Sequence, residues 1–201
     1  MRLGILGSGQ GSNMVAIAEQ CASGALPAVV SVVISDVENA GILSRARGMA
    51  LPAVYIAPGP YRTKLDESAE QEYVRVLKEA NVEWIVLAGF MRIIKSEFLE
   101  QFWGKVVNIH PSLLPSFPGL EAWRQALDYG VKFTGCTVHI VDHGIDTGPI
   151  LGQEIVPVLD SDTPKTLHSR IQEAERRLYP AVLRELAMDQ IGIQGRRSHR
   201  K

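Results

Sequence analysis

The sequence predicts an α/β fold: a Rossmann-like, mostly parallel central sheet of about seven strands flanked by helices, with an antiparallel C-terminal edge. Three observations carry this. Short apolar, β-branched runs alternate with helical periodicities through the first half of the chain. The first of these runs empties into a glycine-rich turn and a helix start, Gly7-Ser8-Gly9-Gln10-Gly11-Ser12-Asn13. Late in the chain two strand patterns follow one another with no room for a helix between them, which favours an antiparallel pair at the sheet's edge.

Leu3 to Gly7 reads as a short buried strand. The helix after the turn puts Met14, Val15, Ala18, Cys21 and Ala22 on one face. Val29 to Ser35 is a second strand, Ile42 to Met49 a short helix ending near Gly48, and Ala53 to Ala57 a third strand. Pro58-Gly59-Pro60-Tyr61-Arg62-Thr63-Lys64 is a loop by its breakers. A helix from about Asp66 to Ala80 aligns Ala69, Tyr73, Leu77 and Ala80, with acids near its positive end. Trp84 to Gly89 is a fourth strand, a short helix runs near Ser96 to Phe102, and Val106 to His110 continues the sheet. A helix near Leu120 to Tyr129 ends at Gly130. Thr134 to Val141 alternates Cys136, Val138 and Ile140 with Thr137, His139 and Val141, and Pro149 to Val158 pairs with it. Asp162-Thr163-Pro164 starts a long helix, with an N-cap before a first-turn proline. Leu167, Ile171, Ala174, Leu178, Val182 and Leu186 form its apolar face, and Pro180 is expected to kink or split it. With no internal repeat or linker, residues 1–188 read as one domain and 189–201 as a flexible basic tail.

A chain of 201 residues, 46% of them hydrophobic, is long enough to bury a real core. Its apolar runs fall far short of the roughly 20 residues of a membrane span. Met1-Arg2-Leu3-Gly4-Ile5-Leu6 enters a strand directly, so no secretory signal and a cytoplasmic location are expected. Cys21 and Cys136, far apart and without ligand spacing, suit two buried thiols in a reducing compartment. Arg196, Arg197, Arg200 and Lys201 crowd the C-terminus; without them 17 basic residues face 22 acidic ones. A body of that balance argues against a nucleic-acid partner.

The stretch Val106 to Pro118, VVNIHPSLLPSFP, carries the chemistry. Period 2 puts Asn108 and His110 on one face of a strand that Pro111 must end, since proline has no N–H for the ladder. Further along, Gly144-Ile145-Asp146-Thr147-Gly148 offers a carboxylate in a glycine-flanked loop. These are the parts for acyl transfer without a protein nucleophile. An amine attacking a formyl carbon creates an oxyanion, which the Asn108 amide suits; losing one such donor typically costs about 2.7–4 kcal/mol. The imidazole of His110 suits the proton transfers, worth roughly 10²–10⁴ in rate. Asp146 would favour the imidazolium and order a water in the relay. The plainer alternative is that Asn108 and His110 cap a buried strand end. The turn Gly7 to Asn13 is an anion site for a mononucleotide phosphate, a dinucleotide site with Asp36 on the ribose, or a tight turn without ligand. Its spacing fails the dinucleotide fingerprint at Ser12. His110, His139, Asp142, His143 and Asp146 lack HExxH or cysteine-pair support, so no metal is expected. His139 and His143 read as one core or rim histidine and one exposed one.

NIHPSLLPSFPGL, with LAGFMRI upstream, DTGPI downstream and the N-terminal GSN, closely resembles the phosphoribosylglycinamide formyltransferases, of the folate-dependent formyltransferase family. The resemblance covers about residues 1–188 and implies the formyltransferase fold. It implies formyl transfer from 10-formyltetrahydrofolate, as co-substrate and without metal, to the amine of glycinamide ribonucleotide. Asn108, His110 and Asp146 would be catalytic. Gly11, Ser12 and Asn13 would hold the ribonucleotide phosphate, and Gln172 and Glu175 the phosphate and ribose end of the same substrate. The folate would be lined by Lys64, Met91, Arg92, Ile93 and Ile94, by Asn108, and by Asp142, His143, Gly144, Ile145 and Asp146. Arg62 competes with Lys64 for the folate's glutamate tail. The Leu114–Pro115 bond is expected to be cis. Residues 121–123, Glu-Ala-Trp, depart from a pattern with histidine near Glu121.

A formyltetrahydrofolate hydrolase, another folate-dependent formyltransferase and a non-enzymatic nucleotide sensor are the rivals. The hydrolases generally add an N-terminal regulatory domain and the methionyl-tRNA transferases a C-terminal one, and neither is expected here. The expected partners are small molecules, with no membrane or nucleic acid, for a monomer or weak homodimer.

Overall fold

The N-terminal apolar run forms strand β1 (Arg2–Leu6), and the glycine turn delivers it into helix α1 (Ser12–Ala22). The computed structural model, which describes residues 1–94 and 96–201, continues with β2 (Val29–Ser35), α2 (Gly41–Gly48), β3 (Ala53–Tyr55), α3 (Glu67–Glu79) and β4 (Trp84–Leu87). There follow α4 (Ser96–Gln101), β5 (Val106–His110), α5 (Ala122–Tyr129), β6 (Phe133–Ile140), β7 (Ile150–Pro157), α6 (Pro164–Ala187), β8 (Ile191–Gln194) and β9 (Arg197–Arg200). Seven strands form one sheet in the order β3-β2-β1-β4-β5-β6-β7. β1 pairs in parallel with β2 and β4, and β2 with β3, whereas β6 and β7 are antiparallel as their short connection requires. The chain divides within β5 into two units, Met1–Val107 and Asn108–Lys201, where the sequence reading has one domain.

In the first unit, strand order reverses at β1, whose neighbours are β2 and β4. Such switch points, at strand C-termini, are where open α/β sheets bind ligands. The glycine turn lies there, with Gly7 N–H donating to Ile34 O and Ser8 N–H to Gly89 O. The core is built from β1, β2 and β4 with Met14, Ile17, Ile42, Leu43, Tyr73 and Leu77 of the helices.

In the second unit, β6 is buried on both faces beyond Phe133, because it is an interior strand; β7, at the edge, alternates. Leu167, Ile171, Ala174 and Val182 of α6 are buried as the periodicity predicts, joined by Tyr179 and Leu183. Pro180 lies inside α6 and does not split it; the helix runs on to Ala187. Residues 189–201, expected as a flexible tail, instead form the antiparallel β8–β9 hairpin around Gly195, which has φ of 59°. Two of its basic side chains have partners: Arg200 pairs with Glu185 at 2.6 Å and Lys201 with Asp189 at 2.7 Å. Ser198 and Arg200 also donate to the Ile150 and Leu151 carbonyls of β7. Buried Ile191 anchors the hairpin.

Thr163 caps α6 in a reciprocal box with Thr166. Asp162 accepts from Arg170 at 2.5 and 2.8 Å and from Leu159 N–H at 2.7 Å. The Arg170 guanidinium in particular holds the Asp162 carboxyl down to about 2. A carboxylate lowered on folding stabilises above its unfolded pKa, near 3.9, and that contribution is lost as pH falls toward the folded value. Asp162→Asn is therefore expected to cost about 1 kcal/mol at pH 7 after allowance for solvent screening. In urea unfolding at pH 7 and again near pH 2, the gap to the parent should close at the acid end. A gap of equal size at both would contradict this assignment.

Candidate active site

Val107 and Ile109 are buried on one face of β5, and Val106, Asn108 and His110 share the other, with Val106 and His110 buried and Asn108 half-buried. Pro111 ends the strand, so the following loop is held by side chains. Ser112 Oγ donates to Ser116 O at 2.5 Å, and Ser116 N–H to Leu113 O at 3.0 Å. Thr137 Oγ on β6 donates to Ser112 O at 2.7 Å and accepts from Leu114 N–H at 3.0 Å. Gln153 on β7 donates to Leu114 O at 2.9 Å. Leu114–Pro115 is cis. The loop brings Phe117, at φ 54°, to where its carbonyl lies 2.9 Å from His110 Nε2.

The carboxylate arrives from the loop between β6 and β7. Asp142 organises it, accepting from Gly144 N–H at 3.1 Å and Thr147 Oγ at 2.6 Å. At Gly148 a Cβ would lie 1.9 Å from Ile140 O, so the chain passes only as glycine. Asp146 has φ of 53°, a left-handed conformation that aspartate tolerates better than most residues. Its Oδ2 accepts from Gly119 N–H at 2.9 Å and lies 3.3 Å from His110 Nδ1. Its Oδ1 lies 3.6 Å from His139 Nε2, which is 3.3 Å from Asn108 Nδ2. The second unit thus brings together Asn108, His110 and Asp146 and adds His139, which the sequence reading left as a core or rim residue. The signal for His139 was weak. It closes an apolar strand just ahead of the Asp146 loop, but its neighbours depend on strand register.

The ring nitrogens can be assigned from their partners. A carbonyl only accepts, so His110 Nε2 carries a hydrogen for Phe117 O and His139 Nδ1 carries one for Ile140 O, 2.9 Å away. Burial pushes the His110 imidazole below the ordinary histidine value, opposed by the Phe117 carbonyl and by Asp146. Burial acts to raise the Asp146 carboxyl, but His139, the Gly119 N–H and His110 outweigh it and hold Asp146 below the usual carboxylate range. Both ring nitrogens of His110 face acceptors, Phe117 O at Nε2 and Asp146 Oδ2 at Nδ1, an arrangement that suits the imidazolium and works against the effect of burial. Cys136, raised to about 12 chiefly by burial, is no nucleophile.

On α6, Gln172 is half-buried and Glu175 buried, one turn apart. His168, one turn before Gln172, stacks on Trp123 at 3.7 Å, so the departure at residues 121–123 is a packing contact between α5 and α6. Burial lowers the His168 imidazole.

In the first unit, Gly11 is the N-cap of α1 at φ 80°, and a Cβ there would lie 2.7 Å from the Ile42 backbone. No side chain caps this helix, and Ser12 and Asn13 open its positive end. Asp36 is buried, bonded to Ser8 Oγ at 2.5 Å and Arg92 Nε at 2.7 Å, and is not presented to a ribose. Arg92 also donates to the Tyr61 and Arg62 carbonyls, so its guanidinium braces that loop. Lys64 stands over the Tyr61 ring at 4.4 Å and its backbone bridges to Ile93, while Arg62 is exposed. Met91 and Ile93 are exposed by 62% and 54%, and in the second unit Ile145 by 65%. Ile94 is half-buried and His143 exposed.

An open, mostly parallel sheet with this amide, imidazole and carboxylate defines a formyl transferase domain, and residues 1–183 match the family model described as formyl transferase. The phosphoribosylglycinamide formyltransferase of Bacillus subtilis is 38% identical over 92% of this chain and 94% of its own. The crystal structure of glycinamide ribonucleotide transformylase 1 from Symbiobacterium toebii superposes with a TM-score of 0.95 at 44% identity, over 100% of this chain and 93% of that one. A formyltetrahydrofolate deformylase from Pseudomonas syringae has a TM-score of 0.92 at 25% identity, covering 99% of this chain and 65% of its own. The chain belongs to the formyl transferase family. Within it, the chain falls among the phosphoribosylglycinamide formyltransferases.

The electrostatics predict a titration. Followed by NMR, the His110 ring should titrate below the ordinary value near 6.5. Asp146→Asn, which removes a charge that favours the imidazolium, should move it lower still. An upward move on that substitution would contradict the pairing.

Proposed function

We propose that this protein transfers the formyl group of 10-formyltetrahydrofolate to the amine of glycinamide ribonucleotide, a step of purine biosynthesis, by direct attack. The observation that carries the reading is the cluster of Asn108, His110 and Asp146, with His139 between the amide and the carboxylate. The amine attacks the formyl carbon and its oxygen becomes an oxyanion. An amide has two N–H groups; with one turned to His139, the second Asn108 N–H serves the oxyanion. The neutral His110 takes the proton that the attacking nitrogen loses and returns it to the departing folate nitrogen. Asp146 stabilises the imidazolium between these events.

Gly11, Ser12 and Asn13 take the ribonucleotide phosphate at the helix N-terminus, and Gln172 and Glu175 hold its phosphate and ribose end. Lys64, Met91, Arg92, Ile93, Ile94 and the loop from Asp142 to Asp146 take the folate, with Lys64 at its glutamate tail. The proposed chemistry uses no metal. The enzyme works in the cytoplasm as a monomer or weak homodimer.

The likeness to a deformylase supports one second reading, release of formate to water from the same folate. Folate turnover followed by absorbance, with and without glycinamide ribonucleotide, separates the two. Transfer requires the acceptor; equal turnover without it would support hydrolysis. His110→Ala should keep the fold and lower turnover by about 10² or more, and full activity in that variant would refute the mechanism. Asn108→Ala should lower kcat by about 10²–10³.

A further inference from the structure

We propose that Asp36 is a positioning residue for the folate: through Arg92 it sets the wall from Met91 to Ile93 and the loop that carries Lys64. The inference rests on the reading of those residues as folate contacts. Asp36 follows β2, and its side chain is 2% exposed. A carboxylate taken this far from water is costly unless it is paired and hydrogen-bonded. Arg92 Nε pairs with one of its oxygens at 2.7 Å, and Ser8 Oγ donates to the other at 2.5 Å. Ser8 Oγ in turn accepts from Met91 N–H at 2.9 Å. The carboxylate therefore fixes the backbone of Met91 and the side chain of the next residue together.

Arg92 turns inward, its side chain 16% exposed, between the exposed Met91 and Ile93. Its Nη1 donates to the Tyr61 and Arg62 carbonyls at 2.7 and 2.6 Å. Those carbonyls belong to the segment after Pro58, Gly59 and Pro60, where the described backbone forms neither strand nor helix. Ile93 N–H adds a bond to Thr63 O at 2.8 Å, and Lys64 bridges to Ile93. The guanidinium is a rigid planar fork, so an anchored Nε aims Nη1 at the loop. The phosphate turn is held differently. Gly7 N–H donates to Ile34 O, Ser8 N–H to Gly89 O and Ile42 N–H to Gly9 O, all of them backbone bonds. Removing the Asp36 charge therefore loosens the folate wall and leaves the phosphate turn in place.

The test is calorimetric binding of tetrahydrofolate and of glycinamide ribonucleotide, each alone, to the parent, Asp36→Asn, Arg92→Gln and the double variant. Asp36→Asn keeps the size of the side chain and removes its charge. It should weaken tetrahydrofolate binding about tenfold or more and leave the ribonucleotide Kd within about twofold. In the Arg92→Gln background the same substitution should change tetrahydrofolate binding little, because Asp36 acts through Arg92. The double variant leaves neither charge of the pair unpaired and serves if Asp36→Asn does not fold; it should show the same split between the two ligands. Trypsin should also cut after Arg62 and Lys64 faster in Asp36→Asn than in the parent. Parent-like tetrahydrofolate affinity in Asp36→Asn, or in the double variant where that stands in for it, would overturn the proposal. So would equal weakening of both ligands, the mark of a general loosening, or an undiminished effect in the Arg92→Gln background. Cleavage needs no ligand, so a parent that binds no tetrahydrofolate while Asp36→Asn is cut faster would sink the folate reading and leave the Asp36 brace standing.

Discussion

The site depends on a half-buried carboxylate that stays ionised between two imidazoles. Asp146 is surrounded by His110, His139 and the Gly119 N–H, a backbone donor. Burial acts to raise its carboxyl, and these partners outweigh it. An ionised Asp146 lets a buried, neutral His110 accept a proton that its surroundings would otherwise reject. Remove the charge and the base loses the partner that stabilises its imidazolium; remove the burial and Asp146 becomes one more solvated acid.

Local structure is arranged to bring that carboxylate to the ring. β5 presents Asn108 and His110 two residues apart, and Pro111 stops it at once. β6 supplies both His139, which turns the Asn108 amide, and Thr137, which fastens the loop behind His110. The return to β7 passes Ile140 through Gly148, where no side chain fits. Asp142 closes the loop with two hydrogen bonds, and Asp146 turns in a left-handed conformation at its far side.

Much of this is legible in the chain, and the exceptions have physical causes. Alternating periodicities give the strands and helices nearly in place, because apolar faces must be buried whatever the partner. Asn108 and His110 are readable together because they share one strand. Asp146 is harder: it is distant in sequence, and only its glycine flanks and the family resemblance single it out. His139 is not readable as a partner, since its neighbours across β5 are set by register rather than spacing. For the same reason the Asp36–Arg92 pair reads as a possible ribose acid and a folate contact until the fold joins them. The C-terminal hairpin was hidden by composition. Four bases in six residues suggest a solvated tail, and the alternation of Ile191 and Ile193 gains meaning only once β7 offers carbonyls to Ser198 and Arg200.

The central claim is that His110 and Asp146 act as one unit. The most direct measurement is a double-mutant cycle on kcat for formyl transfer, using His110→Gln, Asp146→Asn and the combined variant. Groups that serve a single proton transfer are strongly non-additive. The combined variant should be about as slow as the slower single one. Losses that multiply, each substitution costing the same whether or not the other is present, would contradict the account.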